Sequence, residues 1–117
     1  TKFGVAKNVT LISVKVCDAS GGCDGSAILS GISFVGKQHT KSNNKNTVIN
    51  MSLGGFGNDF NNAVVAVGKM GVHVVVAAGN DATNDCLVTP ASAPNAIAVG
   101  ATETDSDAIA IFSNFGN

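Results

Sequence analysis

The sequence has 117 residues, 44% of them hydrophobic and 13% charged, which is enough for one core-bearing domain and too short for two. Seven Lys and no Arg against eight acids give a formal net charge of −1, so there is no basic field to gather nucleic-acid phosphates. The longest apolar runs, 63–67 and 74–78, fall far short of the ~20 residues a membrane helix needs.

Thr10–Cys17 is rich in β-branched residues, and Ile12, Val14 and Val16 alternate against Ser13 and Lys15; this period of two predicts a strand. The cluster Asp18-Ala19-Ser20-Gly21-Gly22 turns the chain, after which Ile28, Ile32 and Val35 recur at helical spacing behind an N-cap at Ser26. The polar run His39–Asn46 reads as an exposed loop and Thr47–Ser52 as a second strand. Leu53-Gly54-Gly55-Phe56-Gly57 leads to a second helix capped by Asn58 or Asp59, with Phe60, Ala63, Val64 and Val67 on one face and Lys69 and Gly71 at its end. Val72–Ala78, apolar nearly throughout, predicts a strand of a buried parallel sheet, and Ala96–Ala101 and Ile109–Ser113 read as two more strands. The alternation predicts an α/β fold, part of a doubly wound, mainly parallel sheet with helices on both faces. Thr1 is no initiator Met, Asn117 closes no helix or polar tail, and three Cys cannot all pair internally, so the expectation is a piece of a longer chain.

In such a sheet ligands gather at the carboxyl ends of the strands. The loops there read Ser20-Gly21-Gly22, Ser52-Leu53-Gly54-Gly55 and Ala77-Ala78-Gly79-Asn80, small residues that admit a ligand to the main chain or serve only tight turns. Asn80 by itself also suits a left-handed turn position. Gly55-Phe56-Gly57, between a strand and a helix with Asp81 ending the next strand, suggests a dinucleotide-binding turn, but Phe60 stands where the third glycine belongs. His39 and His73 read as loop and strand residues, and Asp18, Asp81 and Asp85 as turn or cap residues. Asn8-Val9-Thr10 is a glycosylation acceptor in a surface turn, whereas Asn50-Met51-Ser52 carries the pattern within a buried strand.

Five segments in order carry a resemblance: 48–55 (VINMSLGG), 71–80 (GVHVVVAAGN), 89–94 (TPASAP), 98–101 (AVGA) and 112–116 (FSNFG). Together they resemble the middle of the subtilisin-like serine proteases, and the Pro-Ala-Ser and Phe-Ser-Asn segments are most similar to the proteinase K branch. The resemblance implies a secreted, extracellular, monomeric endopeptidase that cleaves peptides or proteins through an acyl-enzyme, with catalytic residues in the order Asp, His, Ser. It places all three outside this chain, which becomes the central part of one catalytic domain, inactive alone. Asn80 is then the oxyanion-hole donor. Ser52, Leu53 and Gly54 face Ala77, Ala78 and Gly79 as walls of the substrate cleft, and Gly21 and Gly22 pair with the substrate main chain as an added strand. An oxidising compartment favours a disulfide between Cys17 and Cys23, leaving Cys86 a partner elsewhere. The chemistry requires no cofactor. The carbonyls of Pro94 and Ala96 are similar to structural calcium ligands, but the completing carboxylate is absent. A catalytically dead peptide-binding relative would share every one of these features.

Overall fold

A computed structural model describes residues 4–43 and 46–116; Asn44 and Lys45 of the polar run, and the terminal residues Thr1 and Asn117, lie outside the described residues. Helix α1 spans Gly25–Lys41, strand β1 Val48–Met51, β2 Gly55–Phe56, helix α2 Asn61–Lys69, β3 His73–Ala77, β4 Val88–Thr89 and β5 Ala96–Val99, with a 3-10 turn at Asp85–Leu87. Strands β1, β3 and β5 form a sheet with β3 at its centre, while β2 and β4 pair separately. Both pairings of β3 are parallel, running Val48↔His73 to Met51↔Val76 on one side and Val74↔Ala96 to Ala77↔Val99 on the other.

The period of two along β1 and β3 puts Ile49, Met51, Val74 and Val76 on one face, buried with Ile28 and Ile32 of α1 and Val64 and Val67 of α2. Each such side chain gains about 1.5–3 kcal/mol on leaving water, so this face holds both helices. The fold is α/β with a parallel sheet, as the alternation implies. Both helices lie on this face and touch each other. On the other face of the described sheet Val48, Ile97 and Val99 are more than half exposed. Asn50 is exposed there too, which corrects the expectation that this sequon sits in a buried strand.

Helix α1 departs from its expected bounds at both ends. Its N-cap is Asp24 rather than Ser26: Asp24 Oδ1 accepts from the N–H groups of Ser26 (2.9 Å) and Ala27 (3.1 Å). At the other end the expected loop from His39 is still helix. Ile28, Ile32, Gly36 and His39 continue one buried stripe, with His39 Nε2 donating to the Met70 carbonyl (2.9 Å) and Nδ1 paired with Thr47 Oγ1 (2.9 Å). A histidine with both ring nitrogens engaged serves a helix interior despite its polarity. Helix α2 starts at Asn61 and is capped by neither Asn58 nor Asp59; the capping position is Phe60, whose N–H donates to Thr89 Oγ1 (3.1 Å).

Two expected strands are absent. Within 10–17 only Cys17 makes a bridge, to Cys23, and Leu11 and Ile12 are largely exposed. The segment nonetheless lies against α1, where a Cβ on Gly31 would come within 2.8 Å of Val16 Cγ1, so only glycine permits the approach. A groove of about 890 Å³ separates this segment from β1, and alternation without a hydrogen-bonding neighbour makes no strand. Residues 109–113 likewise form a single bridge, Thr102↔Ile109, and then a turn closed by Ser113 N–H on the Ala110 carbonyl (2.8 Å).

Candidate active site

The carboxyl ends of β1 and β3 are neighbours, since Met51 pairs with Val76. Beyond that pair the two chains take different partners. β2 leaves to pair antiparallel with β4, Gly55 opposite Thr89, whereas Ala78 N–H stays with β5 on the Val99 carbonyl (3.0 Å). Beyond the last paired residues, Ser52-Leu53-Gly54 and Ala77-Ala78-Gly79 therefore lie on diverging stretches of chain. A Cβ on Gly54 would lie 3.0 Å from the Thr89 carbonyl oxygen, so main chain packs against main chain here. The β4 side is itself fixed by buried Thr89, whose hydroxyl accepts from Phe60 N–H and donates to Asn61 Oδ1 (2.9 Å) while Asn61 Nδ2 donates to Ser92 Oγ (2.9 Å).

Asn80 follows directly and is exposed. Its φ is not positive: the left-handed positions of this turn are Gly79 (φ 111°) and Ala82 (φ 50°), so a left-handed requirement does not account for the asparagine. Asn114, buried, holds the turn. Its Nδ2 donates to the Ala78 carbonyl (2.9 Å) and its Oδ1 accepts from the N–H groups of Asp81 (2.8 Å) and Thr83 (3.1 Å).

The Ser20-Gly21-Gly22 loop is closed on itself. Asp18 Oδ1 accepts from Ser20 N–H (2.9 Å), Ser20 Oγ (2.7 Å) and Gly22 N–H (2.9 Å), Gly21 N–H donates to the Asp18 carbonyl (3.3 Å), and Asp18 N–H donates to the Gly22 carbonyl (2.8 Å). These bonds, with the Ser20 hydroxyl foremost, hold the Asp18 carboxyl below its ordinary value. Cys17 and Cys23 close the ring as a disulfide with Cα atoms 4.0 Å apart, and Cys86 is a free, exposed thiol among the described residues. With the Ser20, Gly21 and Gly22 amides and the Gly22 carbonyl all committed within the loop, a main-chain partner here would have the carbonyls of Ser20 and Gly21 to meet.

Other sequence candidates are not assembled. Gly55-Phe56 is half of an antiparallel pair and α2 begins only at Asn61, so no glycine turn opens onto a helix start as a dinucleotide site needs. His73 opens β3 at its amino end, about 13 Å of strand from the carboxyl end at Ala77. Among the described residues no group of three or more His, Cys, Asp or Glu side chains is placed to hold a metal ion. No helix among the described residues is long and apolar enough to cross a membrane.

The sequence pattern of the Subtilase family, Peptidase_S8, matches residues 1–117. The chain belongs to the subtilase family. It is 42% identical over 119 residues to Proteinase T of Parengyodontium album, covering all of this chain and 40% of that protein. Against the Extracellular serine proteinase of Thermus sp. (strain Rt41A) it is 45% identical over 117 residues, covering 99% of this chain and 27% of that one. A cold adapted subtilisin-like serine proteinase of known crystal structure superposes with a TM-score of 0.86 at 38% identity, over 97% of this chain and 40% of that chain. The proteinase K-like character expected from the Pro-Ala-Ser and Phe-Ser-Asn segments is thus shown, and the chain spans two fifths or less of these subtilases. What the sequence did not single out is the role of Asn114, whose signal was faint, a polar residue inside a short apolar run, whereas Asp18 is the turn residue it was expected to be.

Proposed function

We propose that the complete protein is a secreted, extracellular, monomeric serine endopeptidase acting on peptide and protein substrates, of which residues 1–117 form the central part of a single catalytic domain. Its triad residues come from segments outside this chain, and the chemistry uses no cofactor. Asn80 donates a hydrogen bond to the oxygen that becomes negative in the tetrahedral intermediate; an amide suits the task because it is a strong donor without charge. Ser52-Leu53-Gly54 and Ala77-Ala78-Gly79 bound the pocket for the side chain before the scissile bond, and Gly21 and Gly22 border the substrate main chain. The observation that supports this reading is the parting of β1 and β3 at their carboxyl ends, with the exposed Asn80 in the turn that follows β3.

In the complete enzyme Asn80→Ala is expected to lower kcat by about 10²–10³ with little change in KM, a magnitude known for the corresponding donor in subtilisin and taken over here rather than derived. Wild-type kcat in that variant would show that other donors hold the oxyanion. The small, uncharged walls further predict a preference for large apolar or aromatic side chains before the cleaved bond. Profiling on a peptide library checks this, and a strict requirement for Lys or Arg would defeat it.

A further inference from the structure

The turn 78–83 belongs to neither strand nor helix, so its main-chain polar groups must find partners elsewhere. Three of them find one side chain. Asn114 takes the Ala78 carbonyl, the Asp81 N–H and the Thr83 N–H, which flank Asn80 on both sides, and its own N–H donates to the Gly79 carbonyl (3.0 Å). Only a carboxamide can do all three: a carboxylate accepts twice but cannot donate to Ala78, and a hydroxyl is too short to span the turn. Asn114 is buried and in contact with the Gly79 position, where a Cβ would collide with its Nδ2. The absent side chain at Gly79 is therefore the space that Asn114 occupies. The rest of 112–116 supports the same turn, with Ala82 N–H on the Phe112 carbonyl (2.9 Å) and Phe115 N–H on the Thr83 carbonyl (3.1 Å).

We infer that Asn114 is the positioning residue of the oxyanion donor: by holding the turn on both sides of Asn80 it fixes the direction in which the Asn80 amide points. The inference rests on Asn80 being that donor. A donor aimed at the transition-state oxygen loses most of its effect when its backbone swings by a fraction of an ångström, whereas ground-state binding along the pocket walls is hardly altered. Asn114 accordingly acts on kcat through Asn80, without touching substrate.

The test is a cycle in the complete protease, assayed on a peptide substrate well below each variant's melting temperature. Asn114→Asp keeps both accepted bonds and loses the donation to Ala78; Asn114→Ser removes the amide and leaves a hydroxyl too short to reach the turn. Each is expected to lower kcat about tenfold or more with KM within about twofold, and to change kcat by less than about twofold when Asn80 is already Ala. Equal losses of kcat in the presence and absence of the Asn80 amide in both variants would overturn the inference, as would wild-type kcat in both. A merely structural role would lower the melting temperature without this dependence on Asn80. Should Asn80→Ala alone leave kcat intact, the oxyanion reading itself fails, and the positioning role with it. Should Asn114→Asp not fold, Asn114→Ser alone decides.

Discussion

Thr89 shows how one hydroxyl ties the core to the β2–β4 pair. It is 2% exposed, accepts from the N–H at the capping position of α2 and donates to Asn61, while its main chain pairs with Gly55 of β2. Thr89→Val keeps the shape but strands the Phe60 N–H and the Asn61 carbonyl oxygen, and should cost about 1–3 kcal/mol, read as a lower denaturant midpoint of the complete protein. Midpoints equal to wild type would mean that both groups find other partners. At this scale the sequence was legible where neighbouring residues carry a pattern. Asn80 was singled out only because its neighbours resemble a family; by itself it read as a turn residue. Asn114 was not, because its importance lies in three main-chain groups more than thirty residues away, and no local pattern encodes such a distance.

Helix α1 illustrates how an element's limits depend on side chains that composition misjudges. Asp24 outranks Ser26 as cap since its carboxylate reaches two N–H groups and the Ser26 hydroxyl as well, and that hydroxyl foremost, then the Ala27 and Ser26 amides, lowers the Asp24 carboxyl below its ordinary value of 3.8. A carboxyl lowered by folding stabilises the fold at pH above its unfolded value, and the contribution fades as pH falls through the folded one. Asp24→Asn, which also caps, should therefore flatten the acid limb of stability, with melting temperatures of variant and wild type diverging below about pH 4; parallel curves would refute this. Helices and the central strands were legible because burial imposes a period. The strands expected at 10–17 and 109–113 were not realised, since a period states which face is apolar but not whether a neighbour stands within 5 Å.

The chain as a whole presents one finished face and one open one. Among its described residues no serine has a histidine to activate it: His39 is occupied by Met70 and Thr47, and His73 opens β3 at the end away from Ser52. Residues 1–117 expressed alone should neither hydrolyse peptides nor react with a fluorophosphonate, and the exposed Val48, Ile97 and Val99 face should bind a hydrophobic dye and promote aggregation. Stoichiometric labelling of a serine, lost on mutating His39 or His73, would contradict this.

The hydrogen bonds of Asn114 reach back 31 to 36 residues along the chain. At roughly 5–20 residues per second of synthesis, the turn bearing Asn80 emerges about two to seven seconds before the side chain that sets it. Until then the Ala78 carbonyl and the Asp81 and Thr83 amides have no side chain to hold them together. A chain cut short of Asn114 never completes this turn, and the delay in completing it is written into the spacing of two asparagines.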